Sequence, residues 1–118
     1  MVKLRKDYQK VFKSWKTPNT YNNNYMMPPL ESGVYIIVRP ILESDNELRE
    51  LVMIYEILYI GASKNLSQRY NSHEMLRILR DIYGCVQFYF KIRKKNYMEY
   101  EKILIKQYNP KFNKQYNY

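Results

Sequence analysis

The chain has 118 residues, with 20 Lys+Arg against 11 Asp+Glu and a net charge of +9. That allows one domain with a modest core and favours a polyanionic partner, nucleic acid first. A single cysteine, Cys85, and a single histidine, His73, exclude a disulfide framework or a Cys/His zinc site built within the chain. No run of about 18 apolar residues occurs, and Met1-Val2-Lys3-Leu4-Arg5-Lys6 leads into charge rather than a signal-peptide apolar segment. The expectation is a soluble, intracellular, cytoplasmic protein with no membrane partner.

Leu4, Tyr8, Val11, Phe12 and Trp15 recur at helical spacing among lysines and arginines, which predicts a basic amphipathic helix over about residues 3–16. Asn19 to Pro29, with its asparagine run and Pro28-Pro29, lacks periodicity and reads as a loop, so residues 1–32 form a helix-and-loop extension preceding the domain at 33–118. Residues 33–39 alternate as a strand, entered through Gly33 and closed by Pro40. Residues 52–60 repeat the style, with Met53, Tyr55, Ile57 and Tyr59 on one face and Val52, Ile54, Leu58 and Ile60 on the other. From Arg39 to Glu56 the chain carries two cations and five carboxylates, so this connection is expected to point away from a phosphate backbone.

Asn65 is placed to cap a helix through Leu66, Arg69, Tyr70 and His73, continuing or restarting over Met75 to Tyr83 until Gly84 stops it. Val86 to Ile92 reads as a third strand with Phe88, Phe90 and Ile92 on one face, and Tyr97 to Tyr108 as a helix ended by Pro110. The elements predict an α/β protein of the α+β kind: a small, largely antiparallel three-stranded sheet flanked by helices, with an N-terminal helical extension.

Glu101 has Tyr97, Met98, Leu104 and Ile105 as its i±3 and i±4 neighbours, so it projects from the apolar side of its helix, whereas Glu99 lies on a solvated face. An ionised carboxylate among apolar groups calls for either a buried arginine or a metal ion, and helical position alone leaves both open. Arg69 and His73, at i and i+4, would present a permanent cation and a titratable imidazole to one space. By spacing alone they fit an ordinary helix surface equally well. The fourteen tyrosines stack, donate or simply pack, and composition does not separate these uses.

Gly33-Val34-Tyr35 followed by Tyr59-Ile60-Gly61, with Arg69 ten positions after Tyr59, His73 four further on, and a tail from Glu101 to Asn113, resembles the GIY-YIG nuclease superfamily of homing, excision-repair and some restriction enzymes. The resemblance spans Gly33 to Asn113. It implies a DNA endonuclease, with Glu101 holding one divalent cation, Mg²⁺ or Mn²⁺, Arg69 neutralising the phosphoryl oxygens and either Tyr35 or Tyr59 as general base. By the same resemblance His73 moves a proton or orients the phosphate, Asn113 fixes the site's architecture by side-chain hydrogen bonds, and Lys64 and Asn65 contact DNA. A small restriction-type or phage-encoded enzyme is implied, with a homodimer required to cut both strands. The chain departs from the pattern in its longer acidic link between the signature strands, which implies an extended hairpin or a small extra element. It also has Ala62 where some members carry a lysine. The competing reading is a non-catalytic basic module that binds nucleic acid while Glu101 and Arg69 merely pair.

Overall fold

The computed structural model describes residues 2–4, 14–19, 24–47 and 49–113. Its centre is a long antiparallel hairpin, β2 (Gly33–Asp45) and β3 (Glu50–Ser63), paired from Gly33↔Ser63 to Asp45↔Glu50 with one register shift between Ile37 and Val38. The strand β4 (Gln87–Ile92) lies antiparallel on the other side of β2, from Gly33↔Ile92 to Val38↔Gln87. The short strand β1 (Val2–Leu4) runs parallel to β3 at Leu51 to Met53, giving the order β1-β3-β2-β4. Helices α1 (Leu66–Asn71) and α2 (Glu74–Tyr83) fall between β3 and β4, and α3 (Tyr97–Tyr108) follows. The three antiparallel strands and flanking helices agree with the α+β architecture expected from the sequence.

Val34 to Val38 is an unbroken apolar run, and all five side chains are buried because β2 is covered on both faces. One face carries Tyr35, Ile37, Leu58, Phe88 and Phe90 against Leu66 of α1 and Met75, Leu76 and Leu79 of α2. The opposite face carries Val34, Ile36, Val38, Ile60 and Tyr89 against Leu104 of α3 and Trp15. Among the described residues, no helix is long and apolar enough to cross a membrane.

Four sequence expectations are corrected. The described ends of the N-terminal span are extended rather than helical. Val2–Leu4 joins the sheet, and Lys16 exchanges two backbone hydrogen bonds with Phe90, at 2.9 and 2.8 Å. The open edge of β4 needs partners for its amides, and Trp15 gains burial there, so sheet pairing overrides the helical spacing at that end. Residues 5–13 of the expected helix lie outside the described residues. Second, Pro40 does not close the first strand. Since β4 stops opposite Val38, β2 is an edge strand at Pro40, where a missing N–H is tolerated. Third, the second strand begins at Glu50 rather than at 52, so of the two forms expected the acidic connection takes the extended hairpin, its outer arm paired as far as Asp45↔Glu50.

The fourth correction concerns the faces of β3. A β-bulge between Ile37 and Val38 leaves Leu58 without an opposing residue, so Leu58 and Tyr59 both pack toward α1 and α2 while Ile57 joins Ile60 on the other face. Strict alternation across residues 52–60 cannot anticipate that change of phase.

Among the described residues no strand pairs the outer edge of β3 between its β1 partners and Ser63, and the residues after α3 cover part of it. Phe112 donates its amide to the Leu58 carbonyl at 3.0 Å. The Asn113 side chain accepts from the Ile60 amide and donates to the Ile60 carbonyl, both at 2.8 Å, and is itself buried. A single side chain thus acts as a one-residue strand partner. Replacing it as Asn113→Leu strands both backbone groups of Ile60, and the expected loss is about 2–4 kcal/mol in urea denaturation. A loss under about 0.5 kcal/mol would show that the clamp contributes nothing to the fold.

Candidate active site

Tyr35 stands opposite Gly61 across the β2–β3 pair. A β-carbon at Gly61 would collide with the Tyr35 hydroxyl and ring, so the phenol lies across the neighbouring strand in space that only glycine leaves open. Gly33 serves closeness of a different kind: a β-carbon there would meet the Lys91 carbonyl and the Leu66 side chain. The Tyr35 ring stacks on Phe88, with centroids 5.1 Å apart, and faces Tyr59 at 6.3 Å. Tyr35 is 1% exposed, whereas Tyr59 is half-buried.

The turn after β3 places the next two groups. The Asn65 side chain caps α1 by accepting from the Gln68 amide at 3.1 Å, and Ser63 Oγ bonds both the amide and carbonyl of Asn65. α1 then ends at Asn71, and His73 is not its i+4 continuation but the N-cap of α2. This corrects the expected stacking of Arg69 and His73 on one helix. The two side chains converge from separate helices: Arg69 Nε donates to the Tyr35 oxygen at 3.2 Å, and His73 Nε2 lies 2.8 Å from the same atom.

The cap decides the histidine's tautomer. His73 Nδ1 accepts from the Leu76 amide at 3.1 Å, so the neutral ring carries its hydrogen on Nε2 and donates it to Tyr35. Burial, with the Arg69 charge adding to it, lowers the His73 pKa to about 4. His73 is therefore neutral near pH 7. The Tyr35 oxygen receives two N–H donors, which leaves its own hydrogen directed elsewhere. Burial raises the Tyr35 pKa and outweighs the opposing Arg69 hydrogen bond; burial likewise raises Tyr59, against the pull of Arg69.

Glu101, half-buried on α3, lies within hydrogen-bonding reach of the Ala62 amide, the residue after Gly61. Burial raises its pKa, while the Ala62 amide and the Lys102 charge oppose the rise, and both phenols feel the Glu101 charge. Among the described residues no lysine or arginine forms an ion pair with Glu101, which leaves the buried-arginine alternative without support. Nor does any group of three His, Cys, Asp or Glu side chains assemble there. A half-buried carboxylate in no ion pair with a described residue fits one hard, largely hydrated cation that takes its other ligands from water or substrate oxygens.

Of the remaining expected residues, Lys64 is exposed beside the α1 cap, and the Asn65 side-chain oxygen Oδ1 is committed to that cap. Asn113 stays one strand away from the phenols, clamped on Ile60 between Tyr59 and Gly61. The Ala62 and Leu76 amides were not anticipated, because backbone groups carry no residue-type signal. Phe88, beneath Tyr35, was anticipated only as a strand residue. The acidic tip at Asp45 is ten residues along β2 from Tyr35, about 33 Å at strand rise, so the arm leads away from the cluster. No family model, no curated protein and no solved structure matches this chain.

The low histidine pKa makes stability depend on pH. Between about pH 6.5 and 4 the unfolded chain binds a proton that the fold excludes, so His73's contribution is complete above 6.5 and is lost as pH falls toward 4, up to about 3 kcal/mol. Asparagine keeps an acceptor for the Leu76 amide but does not titrate. Urea denaturation at pH 7, 5.5 and 4 is expected to show a flatter profile for His73→Asn than for wild type; parallel profiles would contradict the buried neutral ring.

Proposed function

We propose that the chain is an endonuclease that hydrolyses DNA phosphodiester bonds with one divalent cation, Mg²⁺ or Mn²⁺, held by Glu101. The observation that carries this reading is the convergence of Arg69 and His73 on the Tyr35 oxygen, with Tyr59 beside it and the Glu101 carboxylate against the amide that follows Gly61. Hydrolysis of a phosphodiester needs a base for water, positive charge on the phosphoryl oxygens and exclusion of bulk solvent. A hard cation on Glu101 supplies part of that charge.

Arg69 supplies the rest. Its Nε–H is spent on Tyr35 and it also donates to the Tyr59 hydroxyl, which leaves the remainder of its five N–H donors for phosphate. Tyr35 is the phenol equipped to act as base, because its anion would keep both N–H donors, from Arg69 and His73. Tyr59, more exposed and on the same face, positions the incoming water. His73 acts through Tyr35: with Nδ1 committed to α2 and Nε2–H to the phenol, it holds Tyr35 rather than taking its proton. Each chain has one such centre, so a double-strand cut requires two copies, which makes a homodimer on DNA part of the proposal.

Three outcomes follow. Supercoiled plasmid is expected to be nicked only with Mg²⁺ or Mn²⁺, and Glu101→Ala is expected to abolish nicking; DNA retained without cutting under any metal would leave the non-catalytic binder instead. Arg69→Ala is expected to slow cleavage by at least 10²-fold while weakening binding by about fivefold or less, since one phosphate contact among many adds little affinity. Equal losses would make Arg69 an anchor only. Because burial keeps Tyr35 protonated at rest, log kcat is expected to rise with pH from about 6 to 9, without a break near the usual histidine range, and Tyr35→Phe to lose about 10²–10⁴-fold. A rate limb titrating near pH 6.5 would return the proton transfer to His73.

A further inference from the structure

α2 does more than present His73. Down one side of it His73, Leu76, Arg77, Arg80 and Asp81 follow at i, i+3, i+4, i+7 and i+8, a single stripe along the helix. With Tyr70 and Asn71 from the end of α1, that stripe lines an open cleft of about 260 Å³. His73 is common to both places: one edge of its ring touches the Tyr35 oxygen, and the residue forms the near wall of the cleft. Arg77 and Arg80 are exposed and form no ion pair among the described residues, and Asp81 leaves the charged lining with one net positive charge. The cleft is smaller than the usual range for drug-sized ligands, about 300–1,000 Å³. It suits a single phosphodiester unit better than a polyphosphate.

From these positions we infer that the cleft is a second phosphate subsite, which takes the backbone of the DNA strand beyond the bond being cut. The inference rests on the DNA reading and extends it away from the reacting centre. Along the helix axis Arg77 is about 6 Å and Arg80 about 10.5 Å from His73. Both guanidiniums thus lie within a few nucleotides' reach of a phosphate at Tyr35. Their forked donors hold backbone phosphates in register.

The test needs no cutting. Fluorescence anisotropy with a labelled duplex, without divalent cation and across a range of salt, compares the full chain with the Arg77→Ala/Arg80→Ala variant. The slope of log Kd against log salt is expected to fall by about 1.8 in the double variant and about 0.9 in each single one. Arg77→Lys/Arg80→Lys is expected to recover most of the slope, since a point charge still neutralises phosphate. An unchanged slope in the alanine variants, with wild type binding duplex normally, overturns the subsite and leaves the cutting proposal standing. A wild type that binds no duplex even at low salt overturns both. Affinity lost at unchanged slope, and lost no further when the duplex carries an abasic position, would make the cleft a base-reading site and overturn the phosphate assignment.

Discussion

The Tyr35 phenol occupies space that exists only because residue 61 has no side chain, and its oxygen is held there by two N–H groups from two different helices. Nearly everything else in the candidate site depends on that placement. The ring is also core, since it stacks on Phe88 and belongs to the cluster that seats α1 and α2. Packing and chemistry therefore share one side chain. Burial that stabilises the sheet raises the phenol's pKa, and the hydrogen bond from Arg69 works against that rise.

Around that point the fold assembles backbone as much as side chains. The Leu76 amide fixes the histidine tautomer, the Ala62 amide meets Glu101, and Ile60 is gripped on both its polar groups by Asn113. The Tyr59-Ile60-Gly61 segment is thus held from three directions: by β2, by the tail and by the face that packs on α1 and α2. Precise positioning of this kind is what a site needs when it works by electrostatics and geometry rather than by a reactive cofactor.

Much of this was legible from residues. The alternation over 33–38, the Asn65 cap, the Gly84 stop at positive φ and the helix from Tyr97 all announce themselves by local chemistry. Asn113 makes two side-chain hydrogen bonds to Ile60, the residue between Tyr59 and Gly61. What escaped has a common cause, because it depends on what lies alongside in space. Pro40 reads as a stop until β4 is seen to end two residues earlier. Ile57 reads as sharing a face with Tyr59 until the bulge at Leu58 shifts the phase. His73 reads as the next turn after Arg69, yet a helix of six residues ends first and the imidazole becomes a cap. Ser14 to Lys16 reads as helix because nothing local reveals the unpaired edge of β4.

The chain contains one histidine, so the arrangement around Tyr35 has a direct spectroscopic reporter. Nitrogen-15 NMR of the imidazole, followed from pH 8 to pH 4, is expected to show a neutral ring protonated on Nε2 and bare on Nδ1, with no titration until the pH nears about 4. A ring protonated on Nδ1, or one that titrates near its ordinary value, would mean that the imidazole does not donate to Tyr35 and that the phenol lacks its second donor.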